Sequence, residues 1–430
     1  MTRKKTLGLM AVATASALIL AGCSTTEPAE AGGTDITLWL MGGDTPDELR
    51  DYLATEYADA TGGTLTIEEQ SWGDAIAKLT TALPDAENTP DVVEIGNTWS
   101  PTFTNAGAFS DLSDMYEELG GDKLLDSFVE VGTVDGAHYA LPYYFGSRYV
   151  FYRKDIWAAA GKEVPETLEE FNATVADLAS DTQSGFYIGG EDWRNAISWV
   201  FANDGELAVK EGDEWVSTLS DPNTIEGLEQ FQALFQNASN APVTEADSTP
   251  WVNINNNEST GAPESATIIA PGWAHWSIGD LAPDPEDDTK TVATWNDDVF
   301  GVFPLPGKDG GAAPVFAGGS NIAISAASQN QDAARELLKI IFSEEYQQML
   351  GENGLGPGNT DYVSALGDDQ FAQALIDSAV ASKLTPAAPG WAAVEGSGLL
   401  EEFFGKVAAG GDIEALAAEY DEQITPLLAG

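Results

Sequence analysis

The chain has 430 residues, with 70 acidic against 18 basic side chains for a formal net charge of −52, 43% hydrophobic residues and 12 tryptophans. Such a surface repels phosphate backbones and excludes nucleic acid as a partner, while the apolar and aromatic content excludes a disordered acidic chain. Two histidines far apart (His138, His275), a single thiol and no D-x-[DN]-x-[DN]-G loop leave no familiar zinc, copper or calcium ligand set, so neither metal nor cofactor is expected.

The first residues, MTRKK, give a positive start, and Leu7 to Leu20 are apolar or small almost throughout, too short for a membrane span. Residues 1–22 are therefore read as a signal peptide and left out of fold reasoning. The only cysteine, Cys23, follows directly, and Leu20-Ala21-Gly22-Cys23 resembles the lipobox of bacterial lipoproteins. That resemblance implies a lipid-modified Cys23 holding the protein on the extracellular face of the cell membrane, with residues 23–34 as a flexible tether. Without residues 1–22 the net charge is near −55.

From Asp35 the elements alternate. Strands are predicted at ITLWL (36–40), LTIEE (65–69) and VVEIG (92–96), with helices from Pro46 to about Ala60 and over 72–83, where Ile76, Leu79 and Leu83 share a face. Strand–helix–strand–helix–strand predicts a parallel sheet, and ligands in such sheets sit beyond the carboxyl ends of the strands. The residues just after these strands include Asp44, Trp72, Asn97 and Trp99. Asp135-Gly136 predicts a hairpin turn that leaves His138 an ordinary packed or exposed histidine. The middle is helical, with predicted helices starting near Pro165, Trp193 and Thr224. Strands return at FGVF (300–303) and SNIAI (320–324), and a single helix is predicted over 332–350, stopping at Gly351. About 400 mature residues exceed one comfortable core. The expected layout is an α/β protein of two lobes. Residues 35–150 and 300–345 form the first, and 151–299 with 346–430 form most of the second, with hinge crossings between them.

The segments PDVVEIGNTW (90–99), YALPYYFGSRYVFYRKDIW (139–157), VPETLEEF (164–171) and AGGSNIAISAASQNQDAARELLKIIFSEEYQ (317–347) together are similar to the extracellular solute-binding proteins of ABC sugar importers, the group that includes maltose-binding protein. The EIGNT form resembles actinobacterial receptors for chitobiose-like and other short oligosaccharides. The resemblance implies a two-lobed fold that closes on a sugar and delivers it to the permease transmembrane subunits, acting as a monomer and without catalysis. A membrane-anchored glycoside hydrolase needs a carboxylate pair that no local motif nominates. A polysaccharide-binding surface protein would need an open aromatic face instead of lobes that close.

A pyranose presents apolar C–H faces and a rim of hydroxyls, so its receptor needs aromatic plates and fixed polar partners. Trp72 and Trp99 are candidate plates, against packing at the sheet rim; Trp39, inside a strand, is better read as core. Asp44, Asn97 and Tyr144 are candidate hydroxyl partners. Arg148 either contacts ligand or bridges the lobes by pairing with a carboxylate. Trp193 follows Glu191-Asp192 at a helix start, where ligand contact competes with plain capping. Gly318, Gly319 and Asn321 either let backbone approach a ligand or form a turn before a strand. The resemblance implies a ligand aromatic in the loop holding Trp273 and Trp276, with His275 beside them. Trp391 lies in a segment similar to the family's late hinge, and either covers the cleft mouth or packs inside.

Overall fold

The computed structural model describes residues 33–246, 249–257, 259–285 and 290–430. The signal peptide, Cys23 and nearly all of the tether lie outside the described residues. Among the described residues no helix is long and apolar enough to cross a membrane.

The chain opens with β1 (Ile36–Met41), α1 (Asp47–Thr61), β2 (Leu65–Gln70), α2 (Ala75–Ala82), β3 (Val92–Gly96) and α3 (Ser100–Asn105). β1 pairs in parallel with β2, from Ile36 opposite Leu65 to Met41 opposite Gln70, and in parallel with β3. Every residue of β3 is buried, because it lies between β1 and a later strand with helices on both faces. Of the stripe expected in α2, Leu79 and Leu83 are buried, joined by Ala75 and Ala82, while Ile76 is exposed. The Asp135-Gly136 turn forms as expected, with φ of +52° and +81°, between the paired strands Thr133–Val134 and Ala137–His138. His138 stacks on Tyr116 and hydrogen-bonds Thr133.

β4 (Ala140–Gly146) belongs to the same large sheet, and β5 (Arg148–Arg153) opens a second, smaller one. The helices of the middle region follow: Leu168–Leu178 capped by Thr167, α4 (Trp193–Ala202) capped by Asp192, and Pro222–Ala238 capped by Asp221. β6 (Thr267–Pro271) and β7 (Phe300–Phe303) flank β5 on its two sides in antiparallel fashion. β8 (Gly318–Ile324) returns to the large sheet, followed by α5 (Gln331–Ile341), α6 (Glu344–Glu352), β9 (Gly356–Pro357), α7 (Gln370–Ala381) and α8 (Trp391–Gly396). The six-stranded sheet runs β9-β4-β8-β3-β1-β2, and the three-stranded sheet β6-β5-β7.

Two findings depart from the sequence reading. The helix expected over 332–350 is two helices: Ser343 leaves the helical conformation, and its Oγ accepts from Tyr346 N–H to cap α6, a signal concealed within an apolar stripe that continues through both. The chain also changes sheet elsewhere than at 150 and 300. It leaves the six-stranded sheet at Gly146 and re-enters at Gly318; β7 pairs with β5, and β9 near 356 still pairs with β4. Apolar strands of the two sheets look alike in sequence, so the boundary fell on the wrong side of β7.

Three passages thus join the lobes. Gly146 to Arg148 and Phe316 to Gly318 run side by side, with Gly318 paired to Gly146. The third runs from β9 through α7 to Lys383, where Ala317 N–H donates to the Lys383 carbonyl and Lys383 N–H to that of Val315. A shared apolar core braces the passages, including Phe128 and Phe145 from the first lobe and Tyr149, Phe151 and Ile268 from the second.

Candidate functional site at the cleft edge of the first lobe

The carboxyl ends of β1, β2, β3 and β4 and the beginning of the antiparallel β8 come out at one edge of the large sheet, since Gly318 lies opposite Gly146 and Ser320 opposite Gly96. This is where a parallel sheet offers its ligand crevice. The edge faces the second lobe: Ala392 N–H at the start of α8 donates to Thr102 Oγ1 on α3, 3.3 Å away.

Trp72 starts the turn after β2 and lies across the strand ends, its ring centroid 5.6 Å from that of Trp99 in an edge-to-face arrangement. Both rings are half-buried. Gly42 and Gly96 make room for them. A Cβ on Gly42, which has φ of +55°, would meet the Trp72 ring at 2.9 Å, and one on Gly96 would meet it at 3.2 Å. The indole N–H of Trp72 donates to Asp44 Oδ2 at 2.9 Å, and the Tyr144 hydroxyl donates to the same oxygen at 3.1 Å. Asp44 itself is exposed in the loop after β1. An exposed carboxylate fixed from behind by two donors, beside an aromatic plate, is suited to a polyol.

Behind it sits Glu94, the one acid in β3 and fully buried. Its Oε2 accepts from Met41 N–H at 2.8 Å, and its Oε1 lies 3.2 Å from the Tyr144 hydroxyl. Burial pushes its carboxyl up to about 7, helped by the nearby Asp44 and opposed by hydrogen bonds from Met41 N–H, Ser320 and Tyr144. Burial, with Glu94 and Asp44 adding to it, also raises the Tyr144 phenol well above its ordinary value. The sequence reading passed over Glu94; a carboxylate inside a strand otherwise apolar on both faces was the signal available. A raised acid beside an exposed carboxylate also meets one requirement of a glycosidase, but Glu94 has no exposed surface from which to reach a glycosidic oxygen.

The other nominated residues divide. Gly318 and Gly319 stand at the same edge, half-exposed. Asn97 is buried just past β3, its Nδ2 donating to the Ala317 carbonyl at 3.2 Å, so it ties β3 to the second passage. Asn321 points inward, bonding the Phe128 carbonyl. Arg148 is buried at the first passage: Nε donates to Asn195 Oδ1, Nη1 to the Phe316 carbonyl, and the guanidinium lies over the Phe316 ring. These contacts hold Arg148 against α4 and the second passage. Trp193 and Trp391 are 1% and 0% exposed, packed edge-to-face in the core of the second lobe. Trp193 Nε1 donates to Glu401, and Arg194 stacks on the Trp193 ring while pairing with Glu395. In this arrangement neither ring offers a face to a ligand, because the surrounding aromatic core encloses both.

Trp273 is 57% exposed and Trp276 75%. Their loop follows Pro271, which pairs with Arg148, and Gly272 N–H donates to the Ser147 carbonyl, so the loop starts beside the first passage. Trp273 packs edge-to-face on Trp251 at 4.9 Å, and His275 stacks on Phe371. Among the described residues no group of three or more histidine, cysteine or acidic side chains is arranged to hold a metal.

Two lobes on three chain passages, with polar and aromatic groups gathered at one sheet edge between them, define a binding protein of the hinged, two-lobed class. The model of the bacterial extracellular solute-binding proteins matches residues 52–376, and the chain belongs to that family, whose members bind solutes and are not enzymes. It is 35% identical over 367 residues to the diacetylchitobiose binding protein DasA of Streptomyces coelicolor, covering 84% of this chain and 82% of that one. A lactose-binding protein of Rhizobium radiobacter is 24% identical over 80% of this chain and 78% of its own. Among solved structures, the sugar-binding protein MalE of Xanthomonas citri aligns with a TM-score of 0.75 at 21% identity over 92% of this chain and 98% of its own. The GacH receptor of Streptomyces glaucescens gives 0.71 at 21% identity, over 92% and 98%.

Proposed function

We propose that this protein is the substrate receptor of an ABC importer for a short oligosaccharide of the N-acetylglucosamine series, diacetylchitobiose being the first candidate. The observation that carries the reading is the fixed triad of Trp72, Trp99 and Asp44 at the strand ends facing the second lobe, in a chain 35% identical to a diacetylchitobiose binding protein. Trp72 and Trp99 take the C–H faces of the sugar. Asp44 accepts from its hydroxyls or acetamido N–H, and the backbone at Gly318 and Gly319 allows close approach. Trp273 supplies the plate from the second lobe. Tyr144, Asn97 and Arg148 serve from behind, the first by holding Asp44 and the others by fixing the lobe passages.

Ligand touching both lobes favours the closed arrangement and shifts the population toward it, and the closed pair of lobes is what a permease reads. Cys23 carries the lipid that keeps a monomeric receptor on the outer face of the membrane. The deciding experiment is a thermal-shift series over N-acetylglucosamine, its dimer to tetramer, and malto- and cello-oligosaccharides. A ligand at 100 times its Kd adds about 2.7 kcal/mol to the folded state. A shift with chito-oligosaccharides alone supports the reading, and a shift only with another series replaces the substrate. For the anchor, Cys23→Ala should release the protein from membranes and abolish incorporation of labelled palmitate; a variant that still sediments with membranes would overturn that part.

A further inference from the structure

The hydrogens around Tyr144 do not balance if both neighbouring carboxyls are ionised. Its hydroxyl oxygen lies 3.1 Å from Asp44 Oδ2, 3.2 Å from Glu94 Oε1 and 3.4 Å from Ser320 Oγ. A phenol has one proton to donate, and an ionised carboxylate has none. If Tyr144 donates to Asp44, the contact with Glu94 becomes a hydrogen bond only when Glu94 brings its own proton. If Tyr144 donates to an ionised Glu94, Asp44 loses one of the two donors that hold it. Burial decides between the two states, because Glu94 is fully enclosed while Asp44 is exposed to water.

The geometry points to Glu94 as a proton-carrying positioning residue: its Oε1–H donates to Tyr144, Tyr144 in turn donates to Asp44, and Asp44 is thereby locked against the Trp72 indole in the arrangement that receives ligand. The remaining groups fit this chain. Glu94 Oε2, left as a carbonyl-type acceptor, takes the Met41 N–H at 2.8 Å. The ionisable groups facing Glu94 are Asp44 from the loop after β1, Tyr143 and Tyr144 from β4, and Tyr346 from α6. Arg50 on α1 is turned to the carbonyls of Gly42 and Thr45 and to Glu69. Glu94 makes no ion pair with a basic side chain among the described residues, so only the hydrogen bonds from Met41 N–H, Ser320 and Tyr144 oppose its protonation. Tyr143 is occupied by Thr45 and Tyr346 and does not compete for its proton.

This deepens the proposed function and rests on Asp44 and Trp72 being ligand contacts, so its test has one arm with ligand and one without. With diacetylchitobiose as the probe, calorimetric affinity of the natural protein should hold from pH 5.5 to 7. Above that it should fall by about tenfold for each pH unit, as the competent, protonated fraction shrinks. Glu94→Gln offers an amide N–H to Tyr144 and a carbonyl to Met41, copying the protonated acid, and should bind as tightly at pH 6 with a flat profile to pH 8.5. A Glu94→Gln profile as steep as the natural one, or a natural profile that is flat, would overturn the proposal.

The second arm follows the Trp72 indole N–H resonance of ligand-free protein, assigned by its loss in Trp72→Phe. It should titrate near pH 7 in the natural chain and not in Glu94→Gln. If diacetylchitobiose binds no variant at any pH, the sugar assignment fails while this resonance still decides the role of Glu94. A Trp72 resonance that ignores pH, or titrates equally in both proteins, refutes it.

Discussion

Trp72 and Trp99 in the first lobe keep part of their rings at the surface, whereas Trp193 and Trp391 in the second are sealed inside it. All four stand close to loop–helix junctions, so position along the chain does not separate them. What separates them is what lies beneath. The first pair rests on strand ends thinned by Gly42 and Gly96, with the polar Asp44 as neighbour, and both rings stay half-buried. The second pair meets Phe316 and the many aromatic rings of the larger core, and the indole N–H of Trp193 is satisfied by Glu401. The same side chain is therefore left half-open by one set of neighbours and used as a core filler by the other.

The strongest way to break this contrast is Trp391→Ala. If Trp391 fills the core, its removal leaves a large cavity and costs about 3–5 kcal/mol, read as a large drop in melting temperature. Near-natural stability with lost sugar binding would instead make it a plate. Trp99→Ala should behave the opposite way. Stability should change by under about 1 kcal/mol, while affinity for the bound oligosaccharide falls by about 2–4 kcal/mol, as for a central aromatic anchor. Calorimetry beside a thermal melt separates the two quantities.

Next in size comes the buried acid of the first lobe; the acid at the Trp193 indole in the second, Glu401, differs in having Arg194 beside it. Glu94 titrates near 7 when folded and near its ordinary 4.5 when unfolded. Between those values the folded chain keeps a proton that the unfolded chain has lost, so the contribution of Glu94 to stability falls as pH rises through this window and is level on either side. The total is about 3 kcal/mol. The difference between the natural chain and Glu94→Gln in denaturant melts from pH 4 to 8 isolates it from the rest of this acidic protein. A difference that is constant with pH would mean that Glu94 is ionised throughout.

Much of the first lobe was legible because its strands and helices alternate with the expected periods and because loops after parallel strands are where ligands gather; Asp44, Trp72 and Trp99 followed from that rule. The passage between lobes was less legible. β7 and β8 are both short and apolar, and nothing local states which sheet each joins; only the pairing of Val302 with Phe151 and of Ser320 with Gly96 does. The break at Ser343 was hidden because the apolar stripe continues through Phe342 and Tyr346 into the next helix. For Trp193 and Trp391 the sequence left ligand contact and a structural role both open, since the choice depends on a core assembled from distant segments, as in the bond from Trp193 to Glu401.

The smallest test concerns one point where the two lobes touch. Thr102 Oγ1 accepts from Ala392 N–H, joining the helix that follows Trp99 to the one that starts at Trp391. Thr102→Val keeps the shape and removes the acceptor, at a cost of about 0.5–1.5 kcal/mol for a neutral hydrogen bond. If the contact belongs to the closed arrangement alone, the loss falls on affinity, by about three- to tenfold and mostly through faster release, while the melting temperature of ligand-free protein stays put. If both quantities drop together, the lobes are already held at this point without sugar. Closure would then be the resting state of the molecule, and the ligand would have to enter by opening it.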